Sequence, residues 1–180
     1  MYKKKLFVWV LFFCLADVAS SQTVVLKSNI LSWMTATPNV GAEVKVGKAF
    51  TLDVAAHYNP FSFGNDRFLK HWGVQPELRY WLCKPFKGHF FGLHGGYANY
   101  NVSWGGPDRY AGDIFGVGLG YGYQWMLSKR WSVEAELGVG YARSIYDKYD
   151  CATCGSHVGS GKKNYFGPTK VAVSLIYVIK

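Results

Sequence analysis

The sequence predicts an all-β fold: an eight-stranded antiparallel up-and-down transmembrane β-barrel. Three observations predict it. The first is strict alternation from Trp131 to Tyr141, where Trp131, Val133, Ala135, Leu137, Val139 and Tyr141 oppose Ser132, Glu134, Glu136, Gly138 and Gly140. Successive strand side chains point to opposite faces, so one face is greasy and the other polar and small. Ten steps at about 3.3 Å and about 45° tilt rise roughly 23 Å, near the apolar band of an outer-membrane barrel. The second is the amino terminus. Lys3, Lys4 and Lys5 precede an apolar run from Leu6 to Ala16, with Ala19, Ser20 and Ser21 after it, the plan of a secretory signal peptide. The third is composition: 18% aromatic residues and 21 glycines, with only 17% charged residues, below the usual quarter.

Residues 1–21 are therefore expected to be a cleaved leader and residues 22–180 one barrel domain. Cys14 falls inside the apolar run behind Phe12 and Phe13 and is discarded with it. The run is too short to span a bilayer as a helix, and no later stretch is long and apolar enough to do so. Location in the bacterial outer membrane follows.

The strands are expected at Val24–Met34, Val40–Val46, Phe50–Tyr58, Gly73–Leu82, His89–Val102, Asp113–Met126, Trp131–Ser144 and Thr169–Lys180. The first is the least regular in its facing. In the third, Leu52, Val54, Ala56 and Tyr58 oppose Asp53, Ala55 and His57. In the sixth, Phe115, Val117, Leu119, Tyr121, Tyr123 and Trp125 oppose Gly116, Gly118, Gly120, Gly122 and Gln124. Four glycines make a poor water-facing strand surface but suit the crowded interior of a narrow barrel. That argues against a soluble sandwich or lipocalin-like barrel, whose apolar face would point inward. In the eighth, Val171, Val173, Leu175, Tyr177 and Ile179 share a face. Short turns at Gly47–Ala49, Cys83–Gly88 and Leu127–Arg130 alternate with longer loops at Asn59–Trp72, Gly105–Gly112 and Tyr146–Gly167, the habit of outer-membrane barrels, and only Thr35–Asn39 breaks the pattern. Lys48-Ala49-Phe50-Thr51-Leu52-Asp53-Val54 and Lys129-Arg130-Trp131-Ser132-Val133-Glu134-Ala135 form a weak repeat, which successive hairpins explain.

The net charge of +9 falls to +7 once the leader's three lysines and Asp17 are removed. No basic helix, arginine cluster or recognition motif accompanies it, so no nucleic-acid partner is expected. The polar residues assigned to the interior face include Glu43, Lys45, Asp53, Glu77, Arg79, Glu134, Glu136 and Lys170, with His57, Gln75, His94 and Gln124. Mixed charges inside eight strands pair with one another and plug the space. A conducting wire would need a continuous water path that so narrow a barrel rarely offers. No porin-sized conductance is expected, with Trp81, Arg79, Glu77 and Glu134 filling the interior against the glycines.

Cys151 and Cys154 stand close together in the longest loop, near His157. In an oxidising compartment a local disulfide is the simplest account. Zinc lacks an evident fourth ligand, and a redox pair is the remaining alternative. Cys83 lies in a turn at the opposite end and should stay free. His57, His71, His89 and His94 could act as bases and Ser62 or Ser103 as nucleophiles, but no spacing specifies a triad. No catalytic residue, metal or cofactor is assigned. Phe61, Phe63, Phe68 and Trp72 in Asn59–Trp72 read either as a partner-binding loop or as part of a membrane-interface girdle.

The segments Leu26-Lys27-Ser28-Asn29, Pro38-Asn39-Val40-Gly41, Val74-Gln75-Pro76-Glu77-Leu78-Arg79-Tyr80-Trp81-Leu82 and Gly88-His89-Phe90-Phe91-Gly92 carry a resemblance that spans the mature chain. So do Gly122-Tyr123-Gln124-Trp125, Tyr146-Asp147-Lys148-Tyr149 and Asn164-Tyr165-Phe166-Gly167-Pro168-Thr169-Lys170. Together they make the chain resemble a family of small outer-membrane barrels of unknown function found near fimbrial gene clusters. The resemblance implies outer-membrane location and a link to surface filaments, and brings no catalytic residues. The final Lys180 departs from the aromatic usual at the end of such barrels. The expected function is a non-catalytic surface scaffold or interaction module, accessory to fimbriae, present as a monomer in contact with outer-membrane lipid and with a cell-surface filament or another protein. The alternatives are a lipid A-modifying hydrolase or acyltransferase, and a narrow ion or small-solute channel.

Overall fold

The computed structural model describes residues 23–62, 64, 67–106, 108–151 and 155–179. The expected leader, Phe63, Cys154 and Lys180 lie outside the described residues. The rest forms one antiparallel sheet of eight strands that closes in a ring, each strand paired with its neighbours in sequence. They are β1 (Val24–Asn29), β2 (Asn39–Lys45), β3 (Phe50–Asn59), β4 (Arg67–Trp81), β5 (Gly88–Trp104), β6 (Arg109–Met126), β7 (Trp131–Tyr149) and β8 (His157–Val178). β1 closes the ring against β8, from Val25 opposite Val178 to Asn29 opposite Ser174. Closure leaves no unpaired edge.

The strands form where hydrophobic residues alternate, and several run on beyond that alternation. β1 is shorter than expected. It stops at Asn29, whose side chain accepts a hydrogen bond from the Leu31 amide and starts a short helix, α1 (Ile30–Met34). An asparagine at this position satisfies an amide that the first helical turn leaves unpaired. β4 to β8 are longer than expected. β3 ends at Asn59 and β4 begins at Arg67, so half of the expected loop Asn59–Trp72 is strand. The expected loop Tyr146–Gly167 is largely a β7–β8 hairpin paired as far as Tyr149 opposite His157.

Two irregularities shape the wall. The β4–β5 ladder runs from Arg67 opposite Trp104 to Val74 opposite Tyr97 and resumes at Glu77 opposite His94, leaving Gln75 and Pro76 unpaired with Gly95 and Gly96. Proline has no amide hydrogen to donate. Across the ring, β7 and β8 shift register between Gly138 and Val139, and Thr169 becomes the extra residue.

The sheet is inside-out relative to a water-soluble protein. Leu119, Leu137 and Val139 are 65%, 67% and 57% exposed on the outer face, whereas Glu43, Glu77, Arg79 and Glu134 are fully buried inside. No helix among the described residues is long and apolar enough to cross a membrane, which says nothing of strands.

Candidate functional site

The ring interior carries a layer of charge to which almost every strand contributes. β1 supplies Lys27, β2 Glu43, β3 Asp53, β4 Glu77 and Arg79, β7 Glu134 and Glu136, and β8 Lys170. Arg79 is the hub. Its Nη1 lies 2.7 Å from Glu134 Oε2 and 3.1 Å from Glu43 Oε2, and its Nη2 lies 2.6 Å from Glu136 Oε2. Nη2 also reaches Glu77 at 3.3 Å, Asp53 at 3.4 Å and Glu134 Oε1 at 3.0 Å. The two nitrogens grip Glu134 in the bidentate geometry for which a planar guanidinium is suited. Lys27 Nζ lies 2.7 Å from Glu43 and 3.3 Å from Asp53, and Lys170 binds Glu77 and lies 3.2 Å from Glu136. Five carboxylates thus face three cations.

Period two builds this layer, because each charged residue falls on the inward parity of its strand and glycines opposite make room. A Cβ on Gly92 would collide with the Glu77 carboxylate, and one on Gly122 would collide with the Phe90 ring. Below the layer, toward the short turns, Trp81 packs at a tilt against Phe90, ring centroids 4.8 Å apart, and donates from Nε1 to Thr51 Oγ1 at 2.8 Å. Thr51 in turn donates to Glu43. The Arg79 guanidinium sits 4.4 Å from the Phe90 ring centroid, a cation–π contact.

Of the expected interior residues, Glu43, Asp53, Glu77, Arg79, Glu134, Glu136 and Lys170 come together in this network. Lys45 lies on the inward parity near the short-turn end of β2, partly buried, and joins none of the described ion pairs. Lys27 is the participant that sequence reasoning did not assign. Its signal was the parity of Val24, Leu26 and Ser28 around it, obscured because β1 was expected to run on through α1.

Above the layer the interior opens into two adjoining lobes. One, of about 220 Å³, has a mixed lining, with Asn29, Asn39, His57 and Lys170 beside Ala55, Ala56 and Val171. The other, of about 260 Å³, is largely apolar and bordered by Ile114, Ala142, Tyr165 and Pro168, with His94 and Thr169 at one side.

The remaining candidates do not assemble into chemistry. His94 Nε2 pairs with Thr169 Oγ1 at 2.8 Å, His57 faces His71 with ring centroids 5.5 Å apart, and His89 Nδ1 meets the Tyr121 hydroxyl at 2.6 Å on the outer face. Ser62 sits in an isolated bridge to Phe68, and Ser103 is buried. Neither serine is bonded to any of these histidines among the described residues. A serine, histidine and aspartate do meet on the β7–β8 hairpin. Ser160 Oγ donates to Asp147 Oδ1 at 2.5 Å, and His157 Nε2 lies 3.1 Å from Ser160 Oγ and 3.3 Å from Asp147 Oδ1. A catalytic triad uses the two ring nitrogens separately, one for serine and one for the carboxylate. Here one nitrogen faces both partners and the serine gives its proton to the aspartate, so the trio is a structural clasp. These hydrogen bonds, Ser160 first and His157 second, hold the Asp147 carboxyl below its ordinary range. The hydrogen bond from Lys148 to Asp108, at 2.7 Å, likewise holds that ammonium above its usual range. No group of three or more His, Cys, Asp or Glu side chains suited to a metal ion occurs among the described residues.

Phe61 is exposed in the short β3–β4 connection. Phe68 and Trp72 are strand residues of β4, with Trp72 packed edge-on against Tyr97 at 5.4 Å on the outer face and Lys70 over the Phe68 ring at 5.6 Å. These three therefore do not share one loop. Cys83 is free and exposed in the β4–β5 turn. Cys151 lies at the β7–β8 tip, at the opposite end of the ring.

No curated protein and no solved structure matches the chain. A family described as "Protein of unknown function (DUF3575)" matches residues 6–179. With nearly its whole length matched, the chain belongs to that family.

Proposed function

We propose that this protein is a sealed transmembrane barrel of the bacterial outer membrane, exported by a cleaved leader, that works as a non-catalytic surface scaffold. Its outer face supports the membrane reading. The exposed side chains Val54, Leu78, Leu93, Val117, Leu119, Leu137, Val139 and Val171 make an apolar belt. Tyr80, Tyr121, Trp125 and Trp131 rim it on the short-turn side and Tyr58, Trp72 and Tyr141 on the other. Aromatic girdles at both interfaces are the habit of such barrels. In water so large an apolar exterior would drive aggregation, while the charged interior is what a lipid-facing ring encloses.

The length of the β7–β8 hairpin carries the scaffold reading. β7 has 19 residues. At about 3.3 Å each and about 45° tilt it rises roughly 42 Å, against an apolar band of about 25 Å. The excess stands beyond the Tyr141 rim with a polar outer side, including Asp147, Ser160 and Lys162. Rigid strands presenting loops are how scaffolds hold binding residues in place. A surface filament or another surface protein would meet this projection, whose tip a Cys151–Cys154 disulfide would brace.

The test is crosslinking on intact cells followed by identification of the captured protein. The comparison is between wild type, a variant in which Lys148–Gly159 is replaced by an Asn-Gly turn, and Phe61→Ser. The shortened variant is expected to shift on gels between unboiled and boiled samples like wild type, yet to lose its partner. A partner retained by the shortened variant, or lipid A altered only when the gene is present, would overturn the scaffold reading.

A further inference from the structure

The apolar lobe and the break in the β4–β5 ladder lie side by side. Gly96 on β5, Val74 and Gln75 on β4 all border both. Most inward glycines of this ring are demanded by crowding: a Cβ on Gly73, Gly92, Gly118 or Gly122 would collide with a neighbour. Gly95 and Gly96 differ. A Cβ on either would meet nothing nearer than 3.9 Å. Two residues without side chains therefore face a proline that cannot donate, and the wall there is thin and unlaced. Neighbouring outward residues are Val54, Leu78, Leu93 and Val117, all exposed apolar side chains. The wall of the lobe also holds the second irregularity, Pro168 and the extra residue Thr169.

The lobe's lining is mainly apolar. Ile114, Ala142, Tyr165 and Pro168 supply that wall, and His57, Gln75, His94 and Thr169 are the polar residues at its border, with the Thr169 hydroxyl on His94 Nε2. At about 260 Å³ it falls just below the roughly 300–1,000 Å³ usual for small-molecule sites. A slender apolar chain suits that size better than a bulky ring. We propose that the lobe accepts one acyl chain of a surrounding membrane lipid, which enters sideways between β4 and β5 at Pro76. The proposal rests on the membrane reading, because only then does the gap at Pro76 open onto hydrocarbon. Burial of the chain needs no polar partner, since apolar contact alone supplies the favourable term.

The probe is phosphatidylcholine with a photoactivatable diazirine at mid-chain. The protein is reconstituted in bilayers that contain it, irradiated, and its adducts mapped by mass spectrometry. Adducts are expected on outward Leu93 and Val117 and also on inward Ile114, Ala142 or Tyr165. Outward adducts without inward ones overturn the acyl-chain site and leave the membrane reading intact. Absence of outward adducts contradicts the membrane reading and the proposal with it. In Gly96→Leu, whose Cβ would meet nothing nearer than 3.9 Å, inward adducts should be lost while outward adducts persist. Inward labelling that survives this change would overturn entry at the β4–β5 gap.

Discussion

Arg79 touches Glu43, Asp53, Glu77, Glu134 and Glu136, and its loss would leave five buried carboxylates facing two lysines. Breaking a buried ion pair from one side costs about 3–5 kcal/mol because the abandoned charge stays buried. Arg79→Met is therefore expected to lower unfolding stability by at least that range in denaturant titrations of the folded protein in detergent. Glu136→Gln moves the cluster toward charge balance and should cost much less. Lys45→Met should stay within about 0.5 kcal/mol, as changes outside such networks do. Equal effects of Arg79→Met and Lys45→Met would contradict the network. The glycines make a second test. A Cβ on Gly140 would strike the Val117 carbonyl and lie 2.5 Å from Gly118 Cα, both backbone atoms of the paired strand. Gly140→Ala should therefore cost about 1–3 kcal/mol, the usual penalty of overpacking. Gly95→Ala has room for its methyl and should be nearly neutral in the same titration.

At the scale of elements, the β7–β8 hairpin is held beyond the rim by the Asp147–Ser160–His157 clasp. Because the Asp147 carboxyl titrates below its ordinary range in the folded hairpin, its contribution is present above the unfolded value of about 4. It is lost as pH falls through the lower folded value. Amide protection at Tyr146, Lys148 and Gly161 should therefore hold steady from neutral pH to about 5 and fall below 4. Asp147→Asn should remove that fall. Loss of protection near neutral pH in wild type would assign the clasp to another group. This hairpin also marks where the sequence was hard to read. β3, β6 and β7 were legible because apolar residues cover the outer face of each strand and polar or small residues the inner one. Near the tip of the β7–β8 hairpin the alternation lapses, so Gly159-Ser160-Gly161-Lys162-Lys163-Asn164 has loop composition although its backbone pairs with β7. Likewise Ile30–Met34 has strand composition, and only the side chain of Asn29 announces the helix. Lys27 escaped assignment for the same reason, since its facing depends on where β1 ends. Seven of the eight charged residues placed inside by parity did meet there. Parity fixes a face but not a depth, which is why Lys45 stands apart near the turn.

At the scale of the whole molecule, charges fill the interior, apolar side chains cover the exterior, and ring closure leaves no strand edge unpaired. The central claim is thus that the outer parity of the strands faces lipid. Single spin labels placed in turn at Ser132, Val133, Ala135, Glu136, Leu137 and Val139, in protein reconstituted in bilayers with the other cysteines changed to serine, measure this directly through collision with membrane-dissolved oxygen. High oxygen accessibility is expected at Val133, Ala135, Leu137 and Val139. Low accessibility is expected at Ser132 and Glu136, on the opposite parity of β7. Uniform accessibility along the strand, or outer positions that meet a water-soluble relaxant instead of oxygen, would contradict the account.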